Sequence, residues 1–474
     1  MSTFFSAPSG AARNDFIQGR LLTLAALFLV FFSVLLTLSP AVRLRTWEVD
    51  YRWNHWAGYG AWLLTFILLH RFTSRRLPDR DPYLLPAAAL LTGWGLLTVW
   101  RLDADLGFRQ TLWVLVALAV VSVGLYINSP LNILRRYKYV WLTGGLLLTA
   151  LTFFFGTYPG GVGPNLWLGW GGVYIHPSEP LKLLLIIYLS AYLADRIPVS
   201  LSFMQLLLPT IVLSGASLAI LLAQRDLGTA TLFLVIYFLV VYMASGKRRI
   251  LIVALITILL AALAGYQLFD VIQRRVDAWI NPWPDALGRA YQIIQSLIAI
   301  AAGGLTGSGV GLGSPGIIPV SHSDFIFSSI AEETGLAGTL VLIGLIVLIT
   351  ARGFRTAICS ANIFQRYLAA GLTIYLAVQS IMIIGGNIRL LPLTGVTLPF
   401  VSYGGSSLIT SWAALLTILI ISNRSEDEPA ATIEATPYFF IASILFIAFA
   451  AIALLNGWWA VARSQELVNR PDNP

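Results

Sequence analysis

About thirteen apolar blocks, each roughly 16 to 22 residues long, constrain this chain more than any other feature. That length is what the hydrocarbon core of a bilayer demands of a helix, the open-chain structure that pairs all its own backbone polar groups in lipid. The blocks run near 21–38, 57–70, 84–100, 110–127, 139–156, 180–194, 205–223, 227–245, 250–268, 335–351, 367–386, 405–422 and 437–455. A transmembrane barrel would need strict alternation of apolar and polar residues, which is absent. Only 11% of residues are charged and 57% are hydrophobic, whereas soluble domains carry roughly a quarter charged. The expected fold is an all-α polytopic integral membrane protein. The polar start to about Arg20 leads into a block long enough to stay in the membrane, so no cleaved leader is expected.

The net charge of +8 does not point to nucleic acid, because its arginines sit in short loops between blocks. Arg71, Arg75, Arg76 and Arg80, then Arg135, Arg136 and Lys138, then Lys247 to Arg249, then Arg352, Arg355 and Arg366 fall in alternate loops. By the positive-inside rule this places the N-terminus inside and the C-terminus outside, although Arg43, Arg45 and Arg52 dilute the contrast. The single cysteine, Cys359, excludes an internal disulfide, and the four histidines show no metal-ligand spacing. The two halves show no internal repeat of the kind inverted-repeat transporters carry.

Polar residues between spans are costly near lipid and mark work being done. The longest such stretch, 270–333, faces outward in this topology and holds Asp285 in NPWPDALG, Arg289, Gln292 and the His322-x-Asp324 pair. Within it, Tyr291 to Ala302 is too short to span and suits an interfacial or re-entrant helix. A second cluster, NLWLGWGGVYIHPSEPLK, holds Trp167 and places Glu179 and Lys182 three residues apart on one helix face, which suits an ion pair as well as a binding site. Asp226 reads as a helix cap. A third cluster, Asn387 to Ser407, contains Arg389, Ser402 and Ser406; its prolines and glycines forbid a regular span, and such backbone is tolerated only inside protein or along a cavity. GGLTGSGVGLG from Gly303 lacks the strand and Lys-Ser/Thr of a nucleotide loop and reads as a close-packed turn.

WLGWGGVYIHPSEPLK, QRDLGTA, PWPDALGRAYQIIQSLIAIAAGG, HSDFIFSSIAEETGLAG and LPLTGVTLPFVSYGGSS closely resemble the SEDS family (RodA, FtsW and the sporulation homologue). The resemblance implies a ten-span core that polymerises the disaccharide-pentapeptide of lipid II into glycan strands, with about two extra spans in front and one behind. It divides the chain into N-terminal spans over 1–155, a core over 156–423, an acidic cytoplasmic linker over 424–436 and a last span with an outer tail over 437–474. The family's essential outer-loop aspartate falls on Asp285, its glutamate and lysine after Pro-Ser on Glu179 and Lys182, and its tryptophan on Trp167. The chain departs from the family at Leu166, His176, Arg225, Ala286 and Val320, where arginine, glutamine, proline, proline and glutamate are common.

In the implied reaction Asp285 is the general base, and Lys182, Arg289 and Arg389 are the candidates to neutralise the leaving pyrophosphate, with inversion at the anomeric centre. Gln292, Trp167, Glu179, Ser402 and Ser406 complete the expected substrate site, and His322 with Asp324 forms an expected hydrogen-bonded pair that holds the loop. A divalent cation, Mg²⁺ or Mn²⁺, would suit the chemistry, but nothing in the sequence requires one. The implied partners are lipid II, membrane lipids and a class B penicillin-binding protein; the last span and tail resemble the start of such a protein, as in a polymerase–transpeptidase fusion. A lipid II flippase and a non-catalytic scaffold for the transpeptidase are the alternatives.

Overall fold

The computed structural model describes residues 10–158, 165–171, 173–196, 203–424 and 435–469; the acidic linker lies almost wholly outside them. The first helices are α1 (Gly10–Leu44), α2 (His55–Arg76), α3 (Leu84–Leu102), α4 (Ala104–Tyr126), α5 (Pro130–Arg136), α6 (Lys138–Ala150) and α7 (Thr152–Phe155). A small antiparallel hairpin follows, β1 (Leu168–Trp170) and β2 (Val173–Ile175), with Gly169 opposite Tyr174. Then come α8 (Ser178–Arg196), α9 (Phe203–Ala223), α10 (Leu227–Ser245), α11 (Arg249–Leu268), α12 (Asp270–Ile280) and α13 (Tyr291–Gly303). The chain closes with α14 (Ile326–Cys359), α15 (Ile363–Asn387), α16 (Gly405–Ser422), α17 (Thr436–Gly457) and α18 (Ser464–Val468).

Every apolar block falls on a helix, and among the described residues 10 helices are long and apolar enough to cross a membrane. The helix α8 falls outside that ten and carries Glu179, Lys182, Asp195 and Arg196. The core is organised around α15, which packs against α8, α10, α14, α16 and α17 and has 94% of its apolar window buried. A helix apolar on all sides belongs at the centre of a bundle. At the rim, α11 has only 17% of its window buried and leans on α10 and α12. An apolar cavity of about 320 Å³ lies between α8, α9, α10 and α11.

Successive long helices reverse direction, so the loops collect at two ends of the bundle. At one end Asn423 Oδ1 accepts from Asp79 N at 2.9 Å, Arg352 Nε donates to Asp81 at 2.6 Å and Arg135 donates to Asp195 at 2.6 Å. The basic residues of the alternate loops sit at this end. Nearby Arg80, fully buried, fastens α1 by donating to Asp15 and Gln18, both at 2.7 Å. At the opposite end the 270–325 stretch forms a cap that meets the irregular segment from Ile388 to Gly404. Tyr403 N donates to His322 O at 2.9 Å and Arg275 to Thr394 O at 3.1 Å.

Two glycines let that irregular segment sit close to the spans. A Cβ on Gly95 of α3 would lie 2.2 Å from Val401 O, and one on Gly228 of α10 would lie 2.0 Å from Thr394 O. The helix α14 begins nine residues before the expected block and bends at Gly335, whose φ of 65° is available to glycine at little cost. The bend makes room for the glycine-rich turn, since a Cβ there would lie 2.3 Å from Gly307 N.

Of the two expectations for α13, an interfacial or a re-entrant helix, the interfacial one is corrected. Ile293 to Ala301 are buried all round the helix, against α14 on one side and α18 with Trp458–Ala462 on another. Protein surrounds this short helix, and its apolar residues on every face explain why.

Candidate active site

A chain of polar groups runs through the capped end, beginning on α8. Lys182 is fully buried and donates to Glu179 Oε1 at 2.7 Å and to Gln379 Oε1 at 3.1 Å. The i,i+3 ion pair anticipated from the spacing is therefore formed through Oε1, while Glu179 Oε2 is buried without a hydrogen-bond partner among the described residues. Gln379 in turn donates to Thr397 O at 2.8 Å, which ties the pair to the irregular segment. One turn above, Ser178 Oγ lies 2.6 Å from His176 Nδ1 and 3.3 Å from Asp226 Oδ2. Asp226 also caps α10 by accepting from Thr229 N at 3.2 Å. Trp167 sets its ring edge-on to His176 at 5.1 Å, and its backbone bridges to Thr157.

Arg275 on α12, which donates to Thr394 O, feels the negative charge of Asp324 and Asp226. Removal from water lowers the pKa of Arg275 and raises that of Asp324 above the ordinary carboxylate range. Arg275 carried no signal in the sequence beyond being an arginine on a short amphipathic helix. Asn387 was equally silent, yet it donates to Asp324 O at 2.8 Å and accepts from Ser328 at 3.0 Å.

The expected His322–Asp324 pair is not formed. The two residues hold the loop separately: His322 sets its ring against Tyr403 at 5.5 Å, and Asp324 accepts from Ser323 at 3.1 Å. Ser402 and Ser406, expected to meet substrate, are committed to joining loops. Ser402 donates to Ser323 O at 2.7 Å and accepts from Leu398 N at 2.8 Å, while Ser406 accepts from His176 N at 2.8 Å.

Asp285 is a different kind of acid. It ends a 3-10 turn, Trp283–Asp285, and its side chain is exposed rather than enclosed by its apolar neighbours. One oxygen accepts from Arg289 N at 3.0 Å, and the other has no partner among the described residues. Among the described residues the guanidinium of Arg289 and the half-buried Arg389, which stands at φ 61° just after α15, make no ion pair or side-chain hydrogen bond. Burial lowers the pKa of Arg389. Gln292 is half-buried at the start of α13.

Residues 88–427 match the profile of a family described as cell cycle proteins, FtsW/RodA/SpoVE. The peptidoglycan glycosyltransferase RodA of Mycobacterium leprae is 34% identical over 429 residues, covering 85% of this chain and 91% of that one. The chain belongs to the FtsW/RodA/SpoVE family. A probable peptidoglycan glycosyltransferase FtsW of Geobacter metallireducens is also 34% identical, covering 74% of this chain and 96% of the relative. Among solved structures, a chain of a peptidoglycan synthase complex that coordinates polymerization and crosslinking superposes with TM-score 0.62 at 30% identity, covering 73% of this chain and 99% of the other. Thermus thermophilus rod shape determining protein RodA superposes with TM-score 0.56 at 26% identity, covering 74% and 98%.

The family match opens inside α3 and closes after α16, so it contains ten long helices, α3, α4, α6, α8 to α11 and α14 to α16. The helices α1 and α2 precede it and α17 follows it. Where SEDS proteins commonly carry glutamine, this chain carries His176, and burial lowers that imidazole below its ordinary pKa even though Asp226 and Glu179 pull the other way. Lys182 adds to the lowering. A group with a depressed folded pKa contributes fully above its unfolded value, about 6.5 for histidine, and the contribution is lost as pH falls through the folded value. The stability that His176 contributes should therefore be lost on the acid side of about pH 6.5. His176→Gln should flatten that limb, with the share of His322, whose pKa burial also lowers, left in place. Melting midpoints of both proteins across pH 5 to 8 check this.

Proposed function

We propose that the capped end polymerises lipid-linked disaccharide units into glycan strands, with Asp285 as the base. The chain is a peptidoglycan glycosyltransferase, as its curated relatives are named. The single observation that favours Asp285 over its neighbours is its freedom. Glu179 is held by Lys182, Asp226 caps α10, and the Asp324 carboxylate accepts from Ser323 away from water, whereas Asp285 keeps one exposed oxygen without a partner among the described residues.

The acceptor sugar hydroxyl attacks the anomeric carbon, the bond from that carbon to the lipid pyrophosphate breaks, and the hydroxyl proton passes to Asp285. One displacement inverts the anomeric centre. The leaving pyrophosphate needs positive charge, and Arg289 and Arg389 hold theirs uncommitted, unlike Lys182. Trp167 and Gln292 remain candidates for sugar contacts. Among the described residues no group of three acids, histidines or cysteines could hold a metal ion. A divalent cation would therefore rest on the Asp285 carboxylate and the substrate's own phosphates, as Mg²⁺ commonly does.

The basic end of the bundle faces the cytoplasm in this proposal, which puts the cap and the C-terminus outside. The partner is a class B penicillin-binding protein, separate or fused, that crosslinks the strands. Purified protein given lipid II with no transpeptidase, with and without Mg²⁺ or Mn²⁺, should yield glycan strands. Translocation of lipid II across vesicles with no strands formed would replace this reading with that of a flippase.

A further inference from the structure

The C-terminal segment does not leave the bundle at the end of α17. Asn456, fully buried, donates to Thr339 Oγ1 of α14 at 2.7 Å and fixes the helix end. The segment then widens into a π-helical turn, Trp458–Ala462, and runs on as α18 across the cap. Trp459 Nε1 donates to Ile388 O at 2.9 Å, the carbonyl just before Arg389. Leu467, fully buried, closes an apolar cluster with Ala286, Ala290, Ile294 and Leu297, against which Trp283 packs. Asp285 stands between Trp283 and Ala286. One segment outside the family match thus grips both the turn that presents Asp285 and the turn that presents Arg389.

We propose that residues 456–468 form a built-in clamp that sets the Asp285 turn against the Arg389 turn, with Leu467 and Trp459 as positioning residues for glycan transfer. The assignment of the reaction rests on the proposed function; the clamp itself rests on the packing. Without Leu467 the cluster under Ala286 is left open on the side that α18 covers, beneath the short 3-10 turn. A misplacement of about 1 Å can cost a hundredfold in rate. Such a loss appears in kcat through the displaced Asp285, and also in KM to the extent that Arg289 and Gln292, on the same stretch, contact the substrate.

The test uses the full chain in lipid nanodiscs, wild type against Leu467→Ala, Trp459→Phe and the conservative Leu467→Met. Amide deuterium uptake should rise over residues 283–303 in Leu467→Ala and stay unchanged in α15, with kcat lowered roughly ten- to a hundredfold. Trp459→Phe should loosen the same region less, and Leu467→Met should restore both readouts. Unchanged protection of 283–303 in Leu467→Ala would overturn the clamp, as would full kcat in a variant whose cap has loosened. Uptake rising equally in α15 would also overturn it, because the segment would then support the whole bundle. If the wild type makes no strands, the functional reading fails alone, and protection of the cap still decides for or against the clamp.

Discussion

Asp285→Asn should lower the rate of glycan polymerisation by roughly 10²- to 10⁴-fold, the range that a positioned general base supplies. The substitution is nearly isosteric, and the asparagine oxygen can still accept from Arg289 N, the one bond the carboxylate makes. Asparagine caps turns about as well as aspartate. The side chain is exposed, so folded stability should change by less than about 0.5 kcal/mol. These facts separate two roles for Asp285. A residue that only shapes the turn would be nearly silent as asparagine, whereas a base would lose its reaction with the protein otherwise intact. Strand synthesis and melting midpoint measured on the same preparations decide it, and a variant that polymerises at the wild-type rate would remove Asp285 from the chemistry.

Arg101→Ala should destabilise the fold by about 3–5 kcal/mol, the cost of leaving a buried charge without its partner. Arg101, at the end of α3, pairs with Glu333 of α14 at 3.2 Å, with side-chain exposures of 10% and 5%. The contact is an ion pair without hydrogen-bond geometry, and the guanidinium donates to the carbonyls of Gly313 at 3.0 Å and Gly311 at 3.3 Å. One side chain thus joins α3, the glycine-rich turn and the bend at Gly335. The second variant is the informative one: adding Glu333→Gln to Arg101→Ala should recover much of the melting midpoint, since it removes the stranded charge. A midpoint unmoved by Arg101→Ala would mean that water reaches Glu333 and the pair contributes little.

What could be seen in the sequence was what short range determines. Bilayer length picked out the helices, the i,i+3 spacing anticipated the Glu179–Lys182 pair, and Asp226 caps α10 as its position suggested. What could not be seen depends on contacts between distant segments. Ser402 and Ser406 looked available because nothing local shows that Ser323 and His176 will take their hydrogen bonds. Tyr291 to Gly303 looked half-wet because the segment that covers it lies far along the chain, in α18. Arg275 gave no motif at all; the charge it feels from Asp324 and Asp226 exists only once α12 folds over the cap. His322 and Asp324 stand two apart and suggested a pair, yet His322 meets Tyr403 from a distant segment and Asp324 accepts from its neighbour Ser323.

Gly95 and Gly228 touch no proposed substrate group, yet each allows a backbone carbonyl of the irregular segment to come so close that any side chain would collide with it. A catalogue of tolerated substitutions would therefore show these two positions as intolerant as the reacting carboxylate itself. Intolerance at a glycine here measures the separation of two backbones, and counting it as evidence of chemistry would draw the catalytic centre too large.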